Sequence, residues 1–553
     1  MFEKTAGEAL VDLLIDWGVE HIYGMPGDSI NSIIEALRKK QDKIKFIQVR
    51  HEEAGALAAA AYAKLTGKLG VCMAIAGPGA IHLLNGLYDA KLDKAPVLAI
   101  SGQVETDLLG TDFFQEVNLE RLFDDVAVYN QRIMSAEQLP AVVNQAIRMA
   151  YTKKGVSVLT IPDDVPKFEV KSGARVTNTS FTLPELFPQE EDLHAAKLAI
   201  NEAKNPVILA GKGAKHARES LLTFAEHIGA PIVLTLPAKG IIPDEHPLCI
   251  GGLGLIGTKP SYDAMKHADT LIMIGTSYPF TGFLPEKAKT IHIDTDPAQI
   301  GKRYVTDIGL AGDADKTLKW LIENVEKHED HSFLEHHQEE DASTPIKPQR
   351  VMHALQQVAH DDAILSVDVG NVTVWTARHF RMTNQQFIIS SWLATLGCGL
   401  PGALAGKIAF PDKQVFAVCG DGGFGMTMND FVTAVKYKLP IVVVVLNNNK
   451  IAMIKFEQEV MGNIEFGTDL TNPDFAKYAE ACGGIGYRVE NVDELLPAFE
   501  NAVKQNRPCI IDIVVDANEA PMPAKITFGQ AAGYTKHMIK ELFEEGKIDL
   551  PPL

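Results

Sequence analysis

Residues 414–449 read QVFAVCGDGGFGMTMNDFVTAVKYKLPIVVVVLNNN. Two apolar, strand-like runs each end in residues that carry chemistry: Gly420-Asp421-Gly422-Gly423 after the first, Asn447-Asn448-Asn449 after the second. Asp421 and Asn448 lie 27 residues apart, the length of one strand–helix–strand unit. The chain therefore returns beside its starting point, with a carboxylate and an amide oxygen projecting from adjacent strand ends. Hard oxygen ligands of this kind suit Mg²⁺, with diphosphate oxygens completing the shell. The glycines let backbone N–H groups approach the phosphates. A lone Gly-Asp-Gly reads as an ordinary βαβ turn; the asparagines at this spacing turn the reading toward a metal and phosphate site.

The same alternation runs along the chain. VCMAIAG (71–77) and PVLAISG (96–102) read as buried strands in a first part. PVILAGKG (206–213), PIVLTLPAKG (231–240), TLIMIGTS (270–277) and TIHIDTDP (290–297) repeat the pattern in a second. AILSVDVG (363–370) and CIIDIVVD (509–516) join the two opening runs in a third. Continuous apolar strands followed by Gly or Asp indicate parallel sheets covered by helices on both faces. The expected fold class is α/β, with three doubly wound parallel-sheet domains. Linker-like stretches near 165–192 and 325–348 separate them, the second reading equally as a solvated helix. The expected domains are 1–170, 190–325 and 345–525, with a C-terminal tail at 526–553. Ligands in such sheets bind outside the carboxyl ends of the strands, where the Gly, Asp and Asn clusters fall.

Composition narrows the function classes. The 553 residues are 46% hydrophobic and 22% charged, ordinary for a soluble globular protein. Lys and Arg total 52 against 71 Asp and Glu, a net charge of −19, which excludes a nucleic-acid-coating protein. None of the six cysteines forms a C-x-x-C pair, so buried free thiols in a reducing compartment are expected and a cysteine metal site is not. At the N-terminus, Ala6, Ala9, Leu10, Leu13, Leu14 and Trp17 recur at helical spacing, reading as an amphipathic globular helix and not a signal peptide. No run of about 20 apolar residues is present to cross a bilayer, and a cytoplasmic location is expected.

A second cluster, Arg50-His51-Glu52-Glu53, opens the alanine-rich run AGALAAAAYAKLTG (54–67). Alone, it reads as a solvated helix start, where the dipole favours acids. Beside the Gly-Asp-Gly and Asn clusters it resembles the activating motif of the thiamine-diphosphate enzyme superfamily. That resemblance implies thiamine diphosphate and Mg²⁺ as cofactors. Asp421, Asn448 and the backbone carbonyl of Lys450 would be the metal ligands. Glu52 would contact the aminopyrimidine and stabilise the tautomer that activates the cofactor, an acid–base relay. Leu396 would wedge the cofactor into its bent form. Gly27, Gly370, Gly420, Gly422, Gly423 and Ile451 would line its site. In this superfamily the two half-sites meet across a subunit interface, so the resemblance implies a homo-oligomer, with a homotetramer expected.

The resemblance covers nearly the whole chain and is strongest to the bacterial pyruvate oxidase branch, through YGMPGDSI (23–30), IQVRHEEAGALAAA (47–60), AGPGAIHLLNGLYDA (76–90), FFQE (113–116) and SSWLATLGCGLPGA (390–403). It implies His82, Phe114, Gln115, Ile454 and Glu457 at the reacting centre. In the second domain, Gly211, Lys212, Gly213, Pro237, Ala238, Lys239, Gly275, Thr276, Tyr278, Pro279, Asp294, Asp296, Asp313 and Ala314 follow strand-like runs. Glycines there admit a pyrophosphate and acids at strand ends bind ribose hydroxyls, and their order resembles an FAD domain. The implied reaction is oxidative decarboxylation of pyruvate to acetyl phosphate or acetate plus CO₂, with phosphate or water as acyl acceptor and electrons passing to oxygen or a quinone. Acetolactate synthase shares nearly every motif and is the leading alternative. A non-catalytic nucleotide-binding protein is the second, and intact Glu52, Asp421 and Asn448 count against it. Tyr534, Met538, Ile539, Leu542 and Phe543 form an apolar stripe in the tail, read either as a peripheral membrane contact at the inner face or as a docked helix.

Overall fold

The N-terminal periodicity folds as α1 (Ala6–Asp16), with Ala6, Leu10, Leu13 and Leu14 buried. Thr5 and Glu8 close a reciprocal capping box at its start, satisfying two backbone donors that a helix end otherwise leaves open. This computed structural model describes residues 4–170, 182–328, 346–521, 532–534, 536–538 and 540. The central parts of both linker-like stretches, and Ile539, Leu542 and Phe543 of the tail stripe, lie outside the described residues.

The apolar runs become strands of three six-stranded sheets. The first holds β1 (His21–Gly24), β2 (Lys45–Gln48), β3 (Gly70–Ala74), β4 (Val97–Gln103), β5 (Ala127–Arg132) and β6 (Val156–Pro162). The second holds β7 (Pro206–Ala210), β8 (Ile232–Leu234), β9 (Cys249–Gly252), β10 (Thr270–Ile274), β11 (Lys289–Asp294) and β12 (Ile308–Ala311). The third holds β13 (Ile364–Val367), β14 (Gln386–Ile388), β15 (Val415–Gly420), β16 (Val442–Asn447), β17 (Ile485–Val489) and β18 (Cys509–Val514). Every pairing within these sheets is parallel. A short antiparallel ribbon, Lys4–Thr5 with Glu169–Val170, ties the two ends of the first domain.

The spatial orders carry information. The first sheet runs β2-β1-β3-β4-β6-β5 and the third β14-β13-β15-β16-β18-β17, the same topology twice. The middle sheet runs β9-β8-β7-β10-β11-β12, which is the strand order of dinucleotide-binding sheets. In each sheet the order reverses direction between two central strands: β1 and β3, β7 and β10, β13 and β15. A crevice opens there, outside the carboxyl ends.

The first and third domains share one hydrophobic core. α2 (Glu52–Thr66) packs on α5 (Gly399–Ala409), and the buried alanines and leucines of both helices belong to that core. Small side chains permit that close approach. All three domains meet around Asp93. Lys64 on α2 pairs with Asp89 at 2.7 Å and Asp93 at 2.5 Å, and donates to the Ile389 carbonyl of the third domain at 3.1 Å. Asp93 also accepts from the Ser391 amide and hydroxyl. Lys212 of the middle domain donates to the Asp93 carbonyl at 3.1 Å. Burial pushes Asp93 upward, yet the Lys64 and Lys212 charges outweigh it and hold the carboxyl below its ordinary value.

This network is closed to water, so its charges stand or fall together. Replacing Lys64 by Met strands two buried carboxylates and is expected to destabilise the folded chain by about 3–5 kcal/mol. Urea unfolding of Lys64→Met against the parent measures this, and an unchanged midpoint would refute it.

Candidate active site

In the first domain the site begins where β2 hands over to α2. His51 is the extended N-cap residue, and its ring accepts from the Glu53 amide. Glu52 is the first helical residue and is buried. The loop after β3 crosses in front of it. Gly77 adopts a positive φ of 63° and opens the short helix α3 (Pro78–His82). A Cβ on Gly79 would lie 3.2 Å from a Glu52 carboxylate oxygen, so the glycine keeps that flank free. His82, the last residue of α3, puts Nδ1 2.9 Å from Glu52 Oε2. A Cβ on Gly77 would meet the Gln115 carbonyl at 2.8 Å. Gln115, itself at a φ of 64°, therefore packs against the same turn. Glu52, His82 and Gln115 are thus brought together. Phe114, beside them in the chain, is 76% exposed. Gly27, in the loop after β1, sits close against Ile75.

The second group lies at the carboxyl ends of β13, β15 and β16. Asp421 opens α6 (Asp421–Thr427) directly after β15 and is only 2% exposed. Its carboxylate faces an amide, Asn472 Nδ2, at 2.7 Å. Burial pushes its pKa up to about 6, against that hydrogen bond. The amide and backbone N–H donors partly offset that burial. Asn448 follows β16 and accepts from the Lys450 amide at 3.1 Å, an Asx turn that sets its side-chain direction. Lys450 is held by a bridge to Asp469 and by ion pairs to Glu465 and Asp469. A cleft of about 770 Å³ is lined in part by Asn447, Asn449 and Asn472.

The fit to a phosphate group is local and steric. Gly370 precedes α4 (Asn371–His379) at a φ of 116°, and a Cβ there or on Gly420 would meet nothing within 4 Å. Both turns therefore leave open space at helix starts on neighbouring strands, where N–H groups attract anions. Gly422 and Gly423 differ: Cβ atoms there would press on Leu470 and on Asp368, so these two serve packing.

Two residues of this group escaped the sequence reading. Asn472 is within hydrogen-bond range of Asp421, Asn447 and Asn449; it belongs to no motif and only the fold delivers it. Asp368 is fully buried and accepts from the amides of Val369, Gly397 and Gly399. Burial moves its carboxyl up to about 6 despite them. It ties the loop carrying half-buried Leu396 to the start of α4, and Thr427 at the end of α6 holds the same loop through the Gly397 carbonyl. Its signal was visible in AILSVDVG, where an Asp ends a strand just before a Gly. The two groups are joined within the chain: Asn85 Nδ2 reaches Glu53 at 2.5 Å and Thr395 at 2.8 Å, and the Arg50 amide donates to Asp430 at 2.8 Å. Ile451 donates its amide to the Thr468 carbonyl. Ile454 and Glu457 lie on α7 (Ala452–Val460) and are both exposed.

The middle-domain residues lie at the carboxyl ends of their sheet's strands, with mixed engagement. Gly211 and Gly213 pack directly on Gly275 and Thr276, joining the turns after β7 and β10. Pro237, Ala238 and Lys239 form the turn after β8, where Lys239 pairs with Asp244. Asp296 pairs with Lys94 of the first domain at 3.2 Å. Asp313 caps the helix that Ala314 begins. Lys212 turns away toward Asp93, and burial takes it down to about 8. Asp294 accepts from the Asp296 amide. Tyr278, just before Pro279, is buried with an unpartnered hydroxyl, a polar atom that a ligand would satisfy.

In the tail, His537 is buried and its ring bonds the Asn463 carbonyl, while Lys540 reaches the Gly462 carbonyl. Tyr534 and Met538 stay exposed. This segment docks on the body just beyond α7. Among the described residues no helix is long and apolar enough to cross a membrane.

A divalent cation held at Asp421 would compete there with protons. Its carboxyl is ionised above about 6, so divalent-ion affinity should be flat near neutrality and fall about tenfold per pH unit below that value. Calorimetric titration with Mg²⁺ and thiamine diphosphate across the acid range measures the slope, and a flat profile would contradict it.

Comparison with known proteins matches this geometry domain by domain. Residues 4–122 match the N-terminal TPP binding domain of thiamine pyrophosphate enzymes, residues 193–321 the central domain, and residues 368–513 the C-terminal TPP binding domain. The Bacillus subtilis protein YdaP, designated only as thiamine pyrophosphate-containing, is 54% identical over 567 residues, covering 100% of this chain and 99% of its own length. The pyruvate oxidase of Lactiplantibacillus plantarum is 39% identical over 542 residues, 94% of this chain and 90% of that protein. The acetolactate synthase large subunit of Corynebacterium glutamicum is 33% identical over 562 residues, 94% and 88% respectively. Matched in all three domains and over its full length, the chain belongs to the thiamine pyrophosphate enzyme family.

Proposed function

We propose that this enzyme catalyses the oxidative decarboxylation of pyruvate, with thiamine diphosphate, Mg²⁺ and FAD as cofactors. The observation that carries the reading is the 39% identity to a pyruvate oxidase across 94% of the chain, above the 33% to an acetolactate synthase. The dinucleotide-type order of the middle sheet and the unpartnered Tyr278 hydroxyl support FAD in the second domain.

Thiamine diphosphate, when bound, supplies an electron sink for the bond broken on loss of CO₂, and FAD a two-electron acceptor. The chain's own residues do the rest. Asp421, Asn448 and the Lys450 carbonyl hold Mg²⁺, and the open turns at Gly370 and Gly420 admit the diphosphate. Glu52 exchanges a proton with a ring nitrogen of the pyrimidine. Its burial shields that exchange from water, and Gly79 keeps the approach clear. Leu396, anchored through Gly397 to Asp368 and Thr427, sets the shape of the cofactor cleft. His82 and Gln115 orient the keto acid, with Ile454 and Glu457 on the opposite wall. The Gly211 and Gly275 turns, with Asp294 and Asp313, hold the flavin nucleotide. Phe114 is covered by a partner subunit in the homo-oligomer, where the Glu52 group of one chain faces the Asp421 group of another. Phosphate or water takes the acetyl group, and oxygen or a quinone takes the electrons.

Purified protein loaded with the three cofactors should be yellow and should bleach when pyruvate is added without oxygen. Acetolactate as the main product, with no net flavin reduction, would overturn the oxidase reading in favour of a synthase. Supplying phosphate, oxygen and a quinone separately identifies the acceptors. Glu52→Gln keeps the side chain's shape but removes its acid–base function, and is expected to slow bleaching by about 10²–10⁴-fold. Stopped-flow absorbance reads that rate; an unchanged rate would remove Glu52 from the proposed role.

A further inference from the structure

We propose that His51, Glu52 and His82 form a second metal site, selective for zinc-like ions, and that an ion bound there blocks uptake of thiamine diphosphate. One donor atom from each of the three residues lies within 4.8 Å of the other two. His82 Nδ1 is already 2.9 Å from Glu52 Oε2. The His51 and His82 rings stack with centroids 4.4 Å apart and planes 29° from parallel, so the two imidazoles stand together beside the Glu52 carboxylate. The residues stand at the ends of two helices, His51 and Glu52 starting α2 and His82 ending α3, and little backbone movement is needed to close them on an ion.

The donor set decides the ion. Two imidazoles and one carboxylate, with a fourth position left open, is an established zinc set, with ligand bonds of about 2.0–2.2 Å. Mg²⁺ prefers oxygen and an octahedral shell, so it belongs at Asp421 and Asn448 and has little affinity for paired imidazoles. The two half-sites therefore sort metals by chemistry. Access is asymmetric as well: the two histidine side chains are 41% and 42% exposed, while the Glu52 side chain is 10% exposed. Within one chain the imidazoles are the open approach and the carboxylate behind them is shielded. Glu53 stands behind His51, its Oε2 4.0 Å from His51 Nδ1, and Asn85 steadies Glu53 at 2.5 Å. An ion on the far nitrogen of His51 places the ring proton on Nδ1, facing that carboxylate. The weak Glu53 amide bond to the ring, 3.3 Å long, is exchanged for a charge-assisted one.

The metal site stands on these residues alone; the blocking effect rests on Glu52's proposed contact with the pyrimidine. Cofactor-free protein, held in excess Mg²⁺ to occupy the oxygen site, is titrated with Zn²⁺ by calorimetry and with Co²⁺ by visible absorption. The expected result is one ion per chain, with a cobalt spectrum of low coordination number. His51→Gln and His82→Gln should each weaken binding roughly tenfold or more, with circular dichroism confirming the fold. Binding unchanged in both variants, or abolished by Mg²⁺, overturns the site. Equilibrium dialysis then measures thiamine diphosphate uptake with and without Zn²⁺. Uptake that falls with Zn²⁺ in the parent but not in His51→Gln supports the block. Zinc binding that leaves uptake untouched overturns the block and the role given to Glu52, while the metal site stands.

Discussion

A carboxylate withdrawn from water must find a compensating partner, and the way this chain meets that demand separates its frame from its chemistry. Asp89 and Asp93 are buried and share Lys64, and that closed triad is where the three domains meet. Asp368 is buried and accepts from three backbone amides. Asp421 is as deeply buried and is met by the Asn472 amide and backbone N–H groups. The first two are met by groups of the chain itself. The third is the one to which the proposed cation is assigned.

The identical strand order of the first and third sheets explains why the site has two halves. Each sheet opens a crevice at its own reversal. One crevice collects Glu52, His82 and Gln115, and the other collects Gly370, Gly420, Asp421 and Asn448. The α2–α5 packing fixes the two domains rigidly to each other, so the halves cannot adjust independently. The middle sheet, with its different order, is joined to this pair at Asp93 through Lys212. A lysine in the turn read as cofactor-binding thus serves domain attachment.

Legibility followed burial. The runs readable as strands, such as PVILA and PIVVVV, lie in sheet interiors, where both faces are covered and the side chains are uniformly apolar. The six sheet-edge strands were not readable: KFIQ, AVYNQR, CIGG, IGLA, QFI and IGYRV are short, or polar on one face, because one side meets solvent. HIYG and VSVLTIP were missed although interior, the first for its length and the second for its alternating hydroxyls. At the site, residues within a local motif were readable: Glu52 at a helix start, Asp421 and Asn448 after strands. Asn472 was not, because its proximity to Asp421 arises from a loop that the sequence does not mark. Asp368 lay between these cases, its position readable and its three amide bonds not.

Backbone strain independently marks the same places. Among the described residues, seven non-glycine residues have positive φ. Lys94, Lys154 and Lys438 are helix-terminal, where a left-handed residue is the ordinary way to end a helix. Asp112 lies in the loop leading to Phe114. Gln115, Ala394 and Asn449 are not helix-terminal either. Each lies beside a residue group already singled out: Gln115 against the Gly77 turn, Ala394 two residues before Leu396, Asn449 between Asn448 and Lys450. Alanine is the most telling of the three. It has no side-chain hydrogen bond to offset the left-handed conformation, which costs roughly 1–2 kcal/mol. A glycine at 394 would relieve that cost, but it would also loosen the loop that Asp368, Ser390 and Thr427 pin from three directions. The strain persists because the surrounding bonds over-determine the backbone there. What they hold in place is the loop that carries Leu396, the residue proposed to shape the cofactor cleft.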